Sequence, residues 1–180
     1  MEQLFTSNTS TFNFNTNDQS IGGANAFTMF NVVCGTSGKT LTNSNLNGTT
    51  GVTISGTLSG AGNFTNAGIL TFSGATPMTL TGTPDFATNV NTVIYNATVA
   101  QTVAGVAPST TLNFYNLTVS GARTTNNVTF WNTGTIGVSN TFTPNATFST
   151  GNYVPDSQYF QLQRNYTKYS GTGFCFCSCL

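Results

Sequence analysis

Short runs in which apolar residues alternate with Thr, Ser or Asn, each closed by Gly or Asn, recur along most of this chain. Val52, Ile54 and Leu58 alternate with Thr53, Ser55 and Thr57; Leu70 and Phe72 flank Thr71; Met78 and Leu80 flank Thr79. A period of two is the mark of a strand with one buried face. Outside residues 155–180 no segment carries apolar residues at helical spacing, and Thr and Gly are poor helix formers. The pattern predicts an all-β chain with a strand roughly every 8–12 residues.

The punctuation between runs selects among all-β architectures. Asn47-Gly48 is the only Asn-Gly and no Asp-Gly occurs, so tight hairpins lack their usual turn dipeptides. Corner-like pieces take their place: Ser55-Gly56, Ser59-Gly60-Ala61-Gly62, Asn66-Ala67-Gly68 and Ser73-Gly74-Ala75. Small residues at corners let successive coils stack about 4.8 Å apart. Asn and Thr can form side-chain hydrogen-bond ladders along such a stack. The expected fold is a right-handed parallel β-solenoid, with repeated β-sandwiches as the alternative.

A long internal correspondence supports a repeating build. Phe14-Asn15 answers to Tyr95-Asn96, Gln19-Ser20-Ile21 to Gln101-Thr102-Val103, and Phe30-Asn31-Val32 to Tyr115-Asn116-Leu117. Lys39-Thr40 answers to Arg123-Thr124, Val52 and Ile54 to Ile136 and Val138, Leu58 to Phe142. The offset drifts from 81 to 84, with the length changes in Gly, Ala, Pro and Ser stretches. The solenoid is therefore expected over residues 1–154 as two copies of a module of about 84 residues, 11–91 and a shorter second copy, 92–154. Residues 155–180, where Gln, Tyr and basic residues replace Thr and Gly, read as an irregular tail.

Charge narrows function. Only eight of the 180 residues are charged, the net charge is zero, and there is no His. Electrostatic attraction to nucleic acid or anionic lipid is thus not expected, nor is membrane insertion, since no apolar run of about 18 residues occurs. The opening Met1-Glu2-Gln3-Leu4-Phe5 has no basic and apolar signal pattern, which reads as a fragment of a longer exported protein.

Phe114-Tyr115-Asn116-Leu117-Thr118-Val119-Ser120-Gly121 is similar to the YNLTVSG phrase of bacterial β-strand-repeat surface proteins. Tyr95-Asn96 followed by Gln101-Thr102-Val103, and Gly62-Asn63-Phe64-Thr65-Asn66-Ala67-Gly68, resemble the same family. The resemblance covers residues 11–154. It implies a β-solenoid stalk or adhesive region of a large secreted protein, and it transfers no catalytic residue.

Candidate sites are few. Glycoside hydrolysis uses two carboxylates roughly 5–10 Å apart; the only acids are Glu2, Asp18, Asp85 and Asp156, each beside a turn former or at a chain end. Turn residues that bond their own backbone are the expected reading of these Asp. With no His to serve as base, a Ser or Cys nucleophile has no partner. Cys175, Cys177 and Cys179 alternate with Phe174, Phe176 and Ser178, so a strand there puts three thiols on one face, with Cys34 as a conceivable fourth metal ligand. The spacing is not that of zinc sites, and no metal or cofactor is expected. Eight Asn-x-Ser/Thr sequons, at Asn8, Asn47, Asn63, Asn96, Asn116, Asn127, Asn145 and Asn165, follow from an Asn- and Thr-rich composition.

Tyr95, Phe114, Tyr115 and Phe142 recur with apolar partners across the repeat and are expected in the packing. Trp131 is matched with Asn47, which makes it the candidate for an exposed ligand contact. The function expected from these readings is a non-enzymatic structural or adhesin-like segment, extracellular or at a cell surface, touching glycans or neighbouring surface proteins. The alternatives are an ice-binding solenoid, a polysaccharide-active β-helix enzyme and a viral fibre segment. The Thr-x-Thr triplets at Thr40, Thr79 and Thr141 share no common spacing and have large central residues, which counts against ice binding.

Overall fold

The computed structural model describes residues 9–46, 51–103, 111–123, 125–130, 135–148, 153–154 and 159–162. Each of its first four coils carries three short strands. These are β1 (Thr11–Phe14), β2 (Gln19–Ile21) and β3 (Phe27–Met29), then β4 (Asn31–Cys34), β5 (Thr40–Asn43) and β6 (Val52–Ile54). The third coil holds β7 (Leu58–Gly60), β8 (Asn63–Asn66) and β9 (Ile69–Phe72), and the fourth β10 (Met78–Leu80), β11 (Pro84–Asp85) and β12 (Thr92–Tyr95). Every strand of the first three coils pairs in parallel with the third strand after it, giving the orders β1-β4-β7-β10, β2-β5-β8-β11 and β3-β6-β9-β12. That n to n+3 rule defines a parallel β-solenoid, here of about five turns.

Further on come β13 (Gln101–Val103), β14 (Thr111–Val119), β15 (Ala122–Arg123), β16 (Val128–Phe130), β17 (Thr135–Pro144), β18 (Thr147–Phe148), β19 (Tyr153–Val154) and β20 (Tyr159–Leu162). The third sheet continues through β14, β17 and β20 to seven strands. The second sheet runs into the same strands, because Phe86, just past β11, bridges to Phe114. One corner thus vanishes and two strands fuse into one. The alternation is reset inside β14 by a register shift between Phe114 and Asn116. It keeps Leu112, Phe114, Leu117 and Val119 all facing inward and buried.

The coil is the unit of construction, and its length varies. Val52 stands beside Leu70, 18 residues on, whereas Gln101 stands beside Val128, 27 residues on. The difference is absorbed at corners, so the sheets stay in register. The longer correspondence keeps apolar residues such as Val52 and Ile136 inward, but it sets exposed Gln19 and Lys39 against buried Gln101 and Arg123 and does not always keep the sheet. Val52 and Ile136 both lie in the seven-stranded sheet, while Phe14 lies in β1 and its counterpart Tyr95 in β12 of another sheet. Past residue 154, β20 still pairs with β17, Ile136 beside Phe160 and Val138 beside Leu162. The solenoid therefore extends into the segment read as a tail.

The interior is narrow and aromatic. Phe86 stacks on Phe114 with ring centroids 5.4 Å apart, and meets Phe64 and Phe72 edge-on at 6.2 and 6.5 Å. Tyr95 lies 5.2 Å from Phe72. Burying each such ring contributes on the order of 1.5–3 kcal/mol, with up to about 1.5 more for a well-placed aromatic pair. Close stacking needs bare corners. Gly60 ends β7 at φ +109°, and a Cβ there would come 2.2 Å from the carbonyl oxygen of Cys34 in the coil above.

Candidate functional site

Polar side chains bind the coils to one another before any is left to face a ligand. At the corner between the second and third sheets, the Asn43 amide donates to Asn66 Oδ1 at 2.8 Å, and the Asn66 amide to Asn91 Oδ1 at 3.2 Å. All three are buried. Each also closes a local turn or meets the next coil. Asn43 donates to the Ile69 carbonyl, and Asn66 to the carbonyls of Gly68 and Thr92. The ladder runs on as Asn116 donates to the Asn91 carbonyl and Asn140 to Asn116 Oδ1. This is the Asn stack expected of a solenoid, and it satisfies amide groups that would be costly to bury alone.

A second polar spine ties three coils. Gln101 and Arg123 are each only 2% exposed. The Gln101 amide donates to the carbonyls of Phe72 and Gly74, while its Oε1 accepts from the Ala97 N–H and from Arg123 Nη2. Arg123 also donates to the carbonyls of Ser120 and Val99. Gln19, the counterpart of Gln101 in the longer correspondence, is exposed, so nothing in the local pattern marks this spine.

The carboxylates are engaged in the backbone. The Thr40 N–H donates to Asp18 Oδ1 at 2.9 Å, a bond to the next coil rather than to its own turn. Asn63 Oδ1 does the same for the Thr83 N–H. Asp85 behaves as a turn residue, accepting from the N–H groups of Ala87 and Thr88. Partial burial pushes its carboxyl up, yet the bonds from Thr88 and Ala87 outweigh this and hold it below the usual range. Asp85 sits on β11 and Asp18 beside β2, at opposite edges of a four-stranded sheet. Three strand spacings separate them by about 14 Å, beyond the span of a glycosidase pair.

Cys34 faces the interior, and burial pushes its thiol up to about 12. The crevice beside it, lined by Phe14, Cys34, Lys39 and Leu41, encloses about 10 Å³, room for a single water. Among the described residues no three of His, Cys, Asp and Glu converge. Trp131, Glu2, Asp156, Cys175, Cys177 and Cys179 lie outside the described residues. Tyr95 and Phe114 are fully buried, as expected of packing aromatics. Of the sequons, Asn63 and Asn116 spend their side chains on the coil contacts above, whereas Asn127 and Asn145 reach the surface.

Outward positions fall in files that cross the coils. On the seven-stranded sheet one file reads Thr28, Thr53, Thr71, Ile94, Thr118 and Thr143, each beside the next in the pairing register. No fixed spacing marked it in the sequence, because the steps range from 18 to 25 residues. The three Thr-x-Thr triplets fall on three different sheets, and their central Leu41 and Leu80 are buried while Phe142 packs against the core. The size of those central residues is therefore irrelevant to the outer faces.

The fold defines a class, the parallel β-solenoid, and no particular member of it. No family model, curated protein or solved structure matches this chain.

Proposed function

We propose that the chain is a non-enzymatic structural or adhesin-like repeat element, displayed extracellularly or at a cell surface as part of a longer protein. The observation that carries this reading is the use of its scarce polar machinery. The Asn43–Asn66–Asn91 ladder, the Gln101–Arg123 spine and Asp18 hold coil to coil, and Asp85 closes its own turn. What is turned outward is mainly hydroxyl and amide groups, with few charges and scattered exposed apolar residues such as Leu46 and Val90. Such a surface makes many weak contacts with glycans or neighbouring surface proteins, and repetition converts them into avidity. The similarity of residues 11–154 to β-strand-repeat surface proteins supports the same reading.

The test is a panel of neutral and acidic polysaccharides incubated with the purified chain, alongside its shape in solution. An elongated monomer that leaves every glycan uncleaved is the expected result. Turnover that disappears in Asp18→Ala or Asp85→Ala would replace the reading with a hydrolase or lyase. A trimer would point to a fibre segment.

A further inference from the structure

Three neighbouring strands of the seven-stranded sheet, β12, β14 and β17, present a grid of nine outward positions. Thr92, Asn116 and Thr141 form its first file, and Ile94, Thr118 and Thr143 its second, each set in pairing register. Asn96, Ser120 and Asn145 form the third. Backbone bonds from Asn96 N to the Phe72 carbonyl, Ser120 N to Tyr95 and Asn145 N to Val119 carry the ladder through that file. None of the nine is buried as a residue, although Asn96 Oδ1 is itself buried and the Asn116 amide is bonded to the Asn91 carbonyl, whereas Val93, Tyr95, Leu117 and Val119 between them are sealed in the core and Phe142 packs against it. The grid therefore stands on a close-packed base. It differs from the upper part of the same sheet, where Thr71 is fully buried.

The grid carries neither charge nor aromatic ring, so it lacks the groups that grip ions, phosphates or sugar faces. What it has is periodicity. Files repeat at the strand spacing of about 4.8 Å, and a sheet braced by side-chain ladders is the setting in which flatness persists. In a tetrahedral water network with O–H···O bonds of about 2.75 Å, two waters sharing a common neighbour lie about 4.5 Å apart. Thr118 and Thr143 stand in register one strand apart, so the two residues repeat at nearly that distance. Their methyl groups and Ile94 fill the spaces between hydroxyls without competing for hydrogen bonds. Liquid water has no lasting order to match such an array; ice does.

We propose that the β12–β14–β17 face is an ice-binding surface, ordering water at the repeat of its hydroxyl files and adsorbing the protein to ice. This goes beyond the rod reading, and it does not depend on whether that rod also touches glycans. The experiment is partition of the fluorescently labelled full chain into slowly growing polycrystalline ice, read with ice-recrystallisation inhibition. Enrichment of the chain in the ice fraction is expected. Thr118→Tyr, which raises a bulky ring from the grid, should reduce partition to the level of a protein that ice excludes, and Thr143→Tyr should do the same should the first variant fold poorly by circular dichroism. Thr65→Tyr, on the second sheet, should leave partition unchanged. Exclusion of the folded chain from ice, or an equal loss in the Thr65 variant, overturns the proposal. Neither result bears on glycan turnover, so the two readings fail separately.

Discussion

The side-chain amide of Asn43 lies 2.8 Å from Oδ1 of Asn66, its neighbour one coil down. That bond is one of five made by Asn66, whose Oδ1 also accepts from the Gly68 N–H and whose amide reaches Asn91, Gly68 and Thr92. Asn66→Ala leaves buried donors and acceptors on both adjacent coils without partners. The expected loss is on the order of 2–4 kcal/mol, measured as a lower urea midpoint. Replacing the exposed Ser20 instead should move that midpoint by no more than about 0.5 kcal/mol equivalent.

Phe86 joins two sheets by touching Phe64, Phe72 and Phe114. Phe86→Ala opens a cavity in a core too narrow to close around it, and should cost about 3–5 kcal/mol. Phe86→Leu, which keeps most of the volume, should recover more than half of that in chemical denaturation.

Cys34 provides a pH signature. Its thiol is held at about 12 by burial, against an ordinary value of 9.0. A group whose folded pKa is raised in this way keeps its stabilising effect below the unfolded value and loses it as pH climbs from about 9 towards 12. Stability should therefore fall faster across that interval in the native chain than in Cys34→Ala. At pH 8 a thiol reagent should leave Cys34 untouched until denaturant unfolds its coil, and prompt labelling of the folded chain at Cys34 would contradict the burial described.

Asp85 acts at the other end of the scale. Its carboxyl is held low by the backbone N–H groups of Thr88 and Ala87. A depressed folded pKa stabilises above the unfolded value and is lost as pH falls through it. Melting temperature followed from pH 6 to pH 2 should drop in the native chain, and the drop should be shallower in Asp85→Asn, whose side-chain oxygen still accepts both bonds but does not titrate.

Strand positions were legible because the alternation is local. Inward residues such as Ile54, Leu117 and Val119 sit between polar neighbours. The corners could be read from Gly and Asn, as at Gly60 and Asn66. The files were not legible. Whether Thr53 meets Thr71 or some other Thr depends on the length of the intervening corner, and corners vary by several residues without disturbing the sheets. The Gln101–Arg123 spine was hidden for a different reason. Its partners are main-chain carbonyls from three coils, which carry no side-chain signature. The fusion of two sheets at β14 likewise rests on one bulge, at Phe114 and Asn116, that an 84-residue comparison cannot detect.

Because each strand of the first four coils is bonded only to those one turn before and after it, damage has nowhere far to travel. Repeat arrays of this kind behave as a sum of local units and nearest-neighbour couplings. Pulled from its two ends, such a cylinder would surrender in successive lengths of about twenty residues, each giving way at modest force while the remainder keeps its shape.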